Sequence, residues 1–221
     1  MRQSELIKGE PFTCFPLVKA FKMLDQYETI DGIIESKLVV KKSRFIGFAT
    51  STRNLELVED FLGFVRMQCP SATHYCYAYK IKLVNQLFEY ADDAGEPRNS
   101  AGPPILSVLK NSGLSNITCI VVRYYGGTKL GVGGLIRAYS ECTRNCLSTA
   151  SRKTEILCSE LQIQVGYSQV GTLFKLLDRF NAELMDVNYN QVINIKFKMR
   201  QQKVQHFKRQ LDIINLVAEE M

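Results

Sequence analysis

The spacing of apolar and polar positions divides the chain into two sections with different orders of helices and strands. In the first section, apolar residues recur at helical spacing over 53–67, and a long helix is expected from the glycine-rich segment at 126–134 to about Arg152. A shorter helix is predicted over 103–112, with prolines in its first turn. The extended runs of this section are a strand bent at Lys41-Lys42 (Leu38–Thr50), a hairpin with its turn at Asn85-Gln86 (His74–Leu83 and Leu87–Ala91), and a buried strand (Ile117–Tyr125).

The N-terminal segment is predicted to be mostly irregular, whereas the second section consists of regular elements. Regular structure is expected to begin near Ile30, after a segment that holds one short helix, roughly Leu17–Leu24. The second section has the order βαββα, in the segments Ile156–Val165, Gln169–Phe180, Glu183–Tyr189, Val192–Met199 and Val204–Leu216. This order resembles the ferredoxin-like arrangement, with the closing strand missing or very short. The pattern predicts an α+β protein with an extension at 1–26 and domains at 27–152 and 153–221.

Composition and charge exclude several classes of protein. The 221 residues contain 28 Lys and Arg against 22 Asp and Glu, a net charge of +6 that is too small to indicate a general nucleic-acid coat. Apolar runs of roughly 18 residues are absent from the sequence, so a transmembrane helix is not expected. The N-terminus lacks the pattern of a secretion signal, and the seven cysteines are scattered, which together favour a cytoplasmic protein with free thiols.

The charge surplus lies mainly in the first section. Residues 1–152 hold 19 basic and 14 acidic residues, whereas residues 153–221 hold 9 and 8. Local anion sites on the first domain, with a small footprint, are therefore expected rather than extended nucleic-acid binding.

The segment between the buried strand and the long helix is the sharpest candidate site. Its glycines let backbone amides turn toward one point, and the helix N-terminus adds partial positive charge there. Three cations flank them, Arg123, Lys129 and Arg137. The spacing is neither that of a Walker loop nor that of a dinucleotide fingerprint. An anion cradle is favoured over a simple tight turn, and its glycines are Gly126, Gly127, Gly131, Gly133 and Gly134.

Two further features could contribute polar groups. Asp92, Asp93 and Glu96 supply carboxylates for Mg²⁺, but side chains that cap backbone amides of a turn are the favoured interpretation, and Ser100 is a candidate cap for the next helix. His74 is as compatible with a general base as with a structural hydrogen bond.

The strand that begins at His74 carries alternating tyrosines on one face. This face could stack on bases or pack beneath the first helix, and its members are Tyr75, Tyr77 and Tyr79. Cys142 and Cys146 are predicted to be core residues, because they follow one helical stripe with Leu135, Tyr139 and Ala150. No metal site and no cofactor are predicted.

Four ordered motifs together resemble a known family. They are Lys41-Lys42-Ser43-Arg44-Phe45-Ile46; Ala72-Thr73-His74-Tyr75-Cys76-Tyr77-Ala78-Tyr79; Asp93-Ala94-Gly95-Glu96-Pro97 with Ala101-Gly102; and the run from Arg123 to Tyr139. From about Tyr27 onward the chain closely resembles the YigZ/IMPACT family in its bacterial two-domain form. The resemblance implies a first domain like ribosomal protein S5 domain 2, as in domain IV of elongation factor G, followed by a ferredoxin-like domain.

The resemblance also bears on function. The eukaryotic relative IMPACT acts in translational control, where it interferes with activation of a kinase that phosphorylates an initiation factor. The chain departs from the family pattern at Ala94, where a second aspartate is usual, and at Asn99-Ser100, where Gly-Thr is usual. Residues 1–26 lie outside the match.

Three hypotheses of function remain open. The leading one is a protein of translation or its regulation that holds RNA phosphate or a nucleotide-like anion at the glycine-rich segment, helped by His74 and the loop of Asp93 and Glu96, with a possible RNA or ribosome-associated partner. The second is an enzyme for a small phosphorylated or acidic metabolite, with His74, Asp93, Glu96 and Arg123 in one cleft. The third is a protein-interaction module in the regulation of translation initiation, which rests on family analogy alone.

Overall fold

The computed structural model describes residues 25–83 and 86–220, which form two α+β domains. The helices are α1 (Leu55–Gln68), α2 (Gly102–Asn111), α3 (Val132–Thr149), α4 (Val170–Phe180) and α5 (Gln201–Ile213). The strands of the first part are β1 (Gln26–Ile30), β2 (Ile34–Val40), β3 (Ser43–Ser51), β4 (His74–Lys82), β5 (Leu87–Asp92) and β6 (Ile117–Tyr124). The later strands are β7 (Arg152–Ile156), β8 (Cys158–Val165), β9 (Glu183–Tyr189), β10 (Ile193–Arg200) and β11 (Ala218–Glu220).

The first domain is a five-stranded sheet between two layers of helix. Its strand order is β2-β3-β6-β4-β5, so β6 is central. Seven of the eight residues of β6 are buried, which explains the continuous apolar run in this strand. Helices α2 and α3 pack on one face with Phe45, Ile105 and Tyr139 in the core. Helix α1 covers the other face through Phe61 and Val65.

The second domain confirms the ferredoxin-like arrangement. Its sheet has the order β11-β8-β10-β9 with antiparallel neighbours, and α4 and α5 supply apolar residues to its core. Alternate residues of β10 are buried, namely Ile193, Ile195, Phe197 and Met199. The closing strand is present but short, since β11 has three residues.

Several expectations from the sequence need correction. The expected bent strand over Leu38–Thr50 is the hairpin β2–β3, with Lys41 and Lys42 as its two-residue turn. The expected strand Ile156–Val165 is two strands that part at Leu157. Among the described residues, the first strand begins at Gln26 rather than near Ile30, because β1 pairs with the distant β7.

The remaining elements agree with the sequence to within a few residues. The predicted boundary between 152 and 153 falls inside β7, and the domain limits stay predictions. The helix Leu17–Leu24 and turn residue Asn85 lie outside the described residues. No helix in the described ranges is long and apolar enough to cross a bilayer.

Cysteine usage agrees with the expectation of free thiols. Six cysteines are free in the described ranges, and Cys14 lies outside them. Cys142 and Cys146 are fully buried in the core, as predicted from their helical stripe.

Candidate functional site: a buried arginine beside a glycine-rich loop

The strand register of the five-stranded sheet brings several candidate residues together at one end of the sheet. His74 at the start of β4 pairs with Arg123 near the end of β6. Ser43 lies at the start of the neighbouring strand β3, and Glu96 reaches the same place from the loop after β5. Residues far apart in sequence therefore meet because antiparallel pairing sets β3, β4 and β6 side by side.

Arg123 and Glu96 form a buried ion pair at this end of the sheet. Arg123 Nη1 donates to Glu96 Oε1 across 2.6 Å, and the two side chains are only 6% and 3% exposed. The Tyr139 hydroxyl donates to the same oxygen at 2.8 Å. Burial raises the pKa of Tyr139 far above its ordinary value, so this hydroxyl keeps its proton. The carboxylate thus receives two strong donors from β6 and α3.

The guanidinium of Arg123 retains unused hydrogen-bonding capacity. Its Nη2 is 3.4 Å from Ser43 Oγ, a long contact, and its buried Nε has no partner among the described residues. The group lies 5.5 Å from the ring centroid of Phe45 and 5.4 Å from that of Tyr125. A buried cation with an unsatisfied N–H is costly in a folded protein, because that N–H can only donate and an anion or water would satisfy it.

Asp93 serves the backbone of its own loop. Its Oδ1 accepts from the amides of Ala101 and Gly102, each at 2.9 Å, and its Oδ2 accepts from Asn99 at 2.6 Å. This capping geometry is the interpretation that the sequence favoured over a Mg²⁺ ligand. Asp93, and not Ser100, satisfies the first amides of α2, because the Ser100 hydroxyl donates to the Pro97 carbonyl.

His74 is held by the same loop. Its Nδ1 lies 2.9 Å from the carbonyl oxygen of Ala94, which can only accept, so Nδ1 carries a proton. Its Nε2 lies 4.0 Å from Glu96 Oε2, beyond hydrogen-bond reach. Gly95 lies beside the ring with φ +87, a left-handed backbone that favours glycine, whereas a Cβ there would make only an ordinary contact, 3.4 Å from Nδ1. His74 is therefore positioned structurally, beside the ion pair but not bonded to it.

The glycine-rich loop runs along the open side of this cluster. Gly126 lies against the carbonyl of Lys42. Gly127 and Gly131 have φ of +81 and +72, a backbone conformation that residues with a side chain rarely adopt. Helix α3 begins at Val132, and its first amides, including those of Gly133 and Gly134, have no intrahelical acceptor, nor does a side-chain cap from the N-cap residue Gly131 supply one. The loop is thus built from close approach and left-handed backbone, as its composition indicated.

The cation of the loop and that of the first turns of α3 extend into solvent. Lys129 and Arg137 are exposed, and neither makes an ion pair within the described ranges. The Arg137 guanidinium lies 3.9 Å from the point where a Cβ of Gly133 would stand. A guanidinium therefore lies over the first turn of α3, where the helix dipole also favours negative charge.

The tyrosine row is separated from this cluster. Tyr75, Tyr77 and Tyr79 face α1, whereas His74 and Cys76 face α2 and α3. Tyr75 packs under α1 and donates to the Cys69 carbonyl. Tyr77 and Tyr79 lie against Tyr90 of β5, at centroid distances of 5.8 and 5.5 Å. The row and the glycine loop therefore lie on opposite faces of the sheet, and base stacking stays a prediction for Tyr77 and Tyr79.

Sequence reasoning missed several residues that build the site. Ser43 is fully buried and bridges the loop amide of Gly126, at 3.2 Å, to Arg123. The Thr73 hydroxyl accepts a hydrogen bond from the backbone amide of Tyr125 at 3.0 Å. Tyr139 was expected only as a core residue on the helical stripe. A hydroxyl next to a charged motif is too common a signal to reveal these roles from sequence.

Within residues 25–83 and 86–220, no group of three or more His, Cys, Asp or Glu side chains is arranged to hold a metal ion. The polar residues of the site are instead partnered by one another and by backbone amides, as described for Asp93 and Glu96. The arrangement provides cationic and amide donors at the protein surface, above a rigid buried ion pair.

Comparisons with known proteins place these residues in a family. The family described as the Impact N-terminal domain matches residues 41–147, and a domain of unknown function, DUF1949, matches 163–212. IMPACT family member YigZ of Escherichia coli is 35% identical over 176 residues, covering 78% of this chain and 85% of that protein. IMPACT family member YvyE of Bacillus subtilis is 33% identical over 176 residues, covering 80% of each chain.

A solved structure agrees with both domains. The crystal structure of a hypothetical protein aligns with a TM-score of 0.66 and 28% identity, covering 89% of this chain and 98% of that one. The first-domain match spans the hairpin turn, the Glu96 loop and the glycine-rich segment, which are the parts that form the cluster around Arg123. The chain therefore belongs to the IMPACT family.

Proposed function

We propose that this protein acts in the regulation of translation in the cytoplasm, as a binding protein that holds RNA phosphate at its glycine-rich loop. The amides at the start of α3 would donate hydrogen bonds to phosphate oxygens, and Lys129 and Arg137 would supply charge. Arg123 would act from below the loop. The predicted binding residues Gly126, Gly127, Gly131, Gly133 and Gly134 would keep the backbone close to the ligand.

One observation carries this proposal. An uncapped helix N-terminus has an exposed guanidinium beside its first turn, and the buried Arg123 near the end of β6 has an N–H without a partner in the described residues. Each feature alone is common, but all three favour negative charge at the same end of the sheet. Glu96 neutralises only part of this charge, because Lys129 and Arg137 lie outside its pair with Arg123.

The contacts weigh against the rival hypothesis of an enzyme. General acid or base catalysis needs a group that can give or take a proton within reach of substrate, yet the Asp93 oxygens accept from backbone amides and Glu96 Oε1 is shared by two donors. His74 lies 4.0 Å from the nearest oxygen of Glu96. These side chains support a rigid loop better than they support proton transfer.

The translational part of the proposal rests on the family. The resemblance described above connects these motifs with translational control, and with folds found in a ribosomal protein and an elongation factor. RNA is accordingly the natural source of phosphate for this site, and a ribosome-associated partner is the natural context. A protein-interaction module without RNA contact is the alternative that the experiment must distinguish.

Salt-dependent binding of an oligouridylate provides the test. Wild-type affinity should fall as salt rises, and Lys129→Ala with Arg137→Ala should weaken binding and reduce the slope of log K against log salt by about 1.4, since each single-strand phosphate contact contributes about 0.7. Lys175→Gln with Arg179→Gln, an equal loss of charge on α4, serves as control. Affinity that is absent, insensitive to salt, or equally reduced in the control would refute the proposal.

Capture of cellular partners separates RNA binding from protein interaction. Ribosomal particles recovered with the full chain should be lost after RNase treatment and after the Lys129 and Arg137 substitutions. Particles that remain bound after RNase would instead support a protein-interaction module.

A further inference from the structure

The hairpin turn between β2 and β3 has an unusual composition. Lys41 and Lys42 are its two central residues, with φ of +44 and +69. A two-residue turn with both φ values positive is the type I′ hairpin turn, which strongly prefers Asn-Gly because a Cβ disfavours this backbone. Lysine offers neither the freedom of glycine nor the local hydrogen bonds of asparagine. The turn therefore holds two cations in a backbone that their side chains disfavour.

The glycine-rich loop is packed directly against this turn. A Cβ on Gly126 would stand 2.1 Å from both the carbonyl carbon and the carbonyl oxygen of Lys42, so only glycine fits. The Ser43 hydroxyl accepts the Gly126 amide at 3.2 Å. Its oxygen also lies 3.4 Å from Arg123 Nη2. Turn, loop and buried arginine thus form one connected body.

The charges of the turn are available to a ligand. Lys41 and Lys42 are exposed, and neither makes an ion pair within the described ranges. Nearby Lys37, on the same hairpin, is by contrast paired with Glu35 at 2.9 Å. Exposed cations without ion pairs in the described ranges therefore occur both on the turn that packs against Gly126, at Lys41 and Lys42, and on the loop and helix that follow Gly126, at Lys129 and Arg137.

We infer that the Lys41–Lys42 turn is a second phosphate-contacting element, so that the ligand is a single-stranded RNA segment with several phosphates rather than a mononucleotide. This inference rests on the proposed function and specifies its ligand. One phosphate lies at the start of α3 and a neighbouring phosphate lies at the turn, with Gly126 between them. Packing of Gly126 on Lys42 fixes the relation between the two contacts.

Two double variants separate charge from backbone strain. Lys41→Asn with Lys42→Gly removes both charges and introduces the preferred turn residues, so its Tm should rise while its RNA affinity falls. Lys41→Gln with Lys42→Gln removes the charges alone, so affinity should fall without a gain in Tm. Lys175→Gln with Arg179→Gln, on exposed positions of α4, controls for net charge.

The slope of log K against log salt is the deciding measurement. With an oligouridylate probe, both turn variants should reduce its magnitude by about 1.4, corresponding to two lost single-strand contacts. With uridine monophosphate, binding by the turn variants should equal that of wild type. A slope unchanged in both turn variants, or one reduced as much in the α4 control, would overturn the inference.

The loop variant keeps the two proposals distinguishable. If Lys129→Ala with Arg137→Ala weakens oligouridylate binding while both turn variants bind as wild type, the further inference fails and the proposed function stands. If neither the loop variant nor the turn variants change binding, the proposed function fails as well. Equal loss of mononucleotide and oligonucleotide binding in the turn variants would also overturn the inference, since it would indicate one phosphate contact.

Discussion

Arg123 donates to Glu96 across 2.6 Å in a setting where both side chains are almost fully excluded from solvent. Breaking a buried pair leaves an uncompensated charge, whereas replacing both partners removes the charge altogether. Glu96→Gln and Arg123→Met should each lower the free energy of unfolding by about 3–5 kcal/mol. The double variant should cost clearly less than the sum, and urea unfolding of the four proteins measures this coupling.

An exposed pair of the same length provides the control for this cycle. Lys110 and Glu89 also approach to 2.6 Å, but the lysine side chain is 52% exposed. Glu89→Gln should therefore cost less than about 1 kcal/mol. Additive losses at Arg123 and Glu96, or losses as small as that at Glu89, would show that the buried pair is not a coupled unit.

The extent to which sequence predicts this fold depends on the range of the interactions. Helical spacing located α1 and α3 to within a few residues, because this pattern is local. Pairing of β1 with β7 joins Gln26 to Ile156, and no local pattern indicates such a partner. The turn at Lys41 and Lys42 is a local feature, yet the sequence does not predict it, because lysines are not the Asn-Gly residues that a type I′ turn prefers.

The sequence predicts which residues belong to the candidate site, but not which of them contact one another. Glycines and flanking cations marked the loop, and the aspartate contacts followed the favoured capping interpretation. The ion pair of Arg123 with Glu96 depends on the register of β4, β5 and β6, which periodicity does not determine. For the same reason, the separation of Tyr77 from the loop became evident only from the packing of α1.

Gly126 is expected to tolerate no side chain. A Cβ there would meet the Lys42 backbone at 2.1 Å, and backbone atoms cannot rotate away as a side chain would. Gly126→Ala should lower the free energy of unfolding by about 3 kcal/mol, as overpacking does. Thermal and urea unfolding measure the loss.

Gly63 is the matched control for this substitution. It lies exposed within α1 and has no atom within 4 Å of an added Cβ. Gly63→Ala should therefore raise stability by about 0.5–1 kcal/mol through helix propensity. If both alanine variants changed stability in the same direction, close packing of the loop on the turn would not be the reason for glycine at 126.

Asp93 is expected to act as a backbone cap and not as a metal ligand. Asp93→Ala removes acceptors for three amides, at Asn99, Ala101 and Gly102, and should cost about 1–3 kcal/mol. Asp92→Ala removes the acceptor of one amide, that of Ala94, and should cost about 1 kcal/mol. Urea unfolding compares the two variants.

Magnesium provides the second measurement on this loop. Because the oxygens of Asp93 already accept backbone amides, Mg²⁺ at millimolar concentration should leave the Tm of wild type unchanged. A rise in wild-type Tm with Mg²⁺ that disappears in Asp93→Ala would contradict the capping role and support a metal site.

The last prediction concerns alkaline pH and the thiol beneath the site. Cys76 is fully buried, 2.9 Å from the Asp93 carbonyl and 3.3 Å from the Tyr139 hydroxyl. Burial raises its pKa from 9.0 to about 12. Because the folded pKa exceeds the unfolded one, this contribution to stability is fully present below pH 9.0 and is lost as pH rises toward about 12.

Cys76→Ser cannot lose a proton in this window, so its stability should fall less steeply than that of wild type, with a cumulative difference of up to about 4 kcal/mol. Urea midpoints at successive pH values measure both slopes. Parallel curves for the two proteins across this window would show that Cys76 ionises as easily in the folded state as in the unfolded chain.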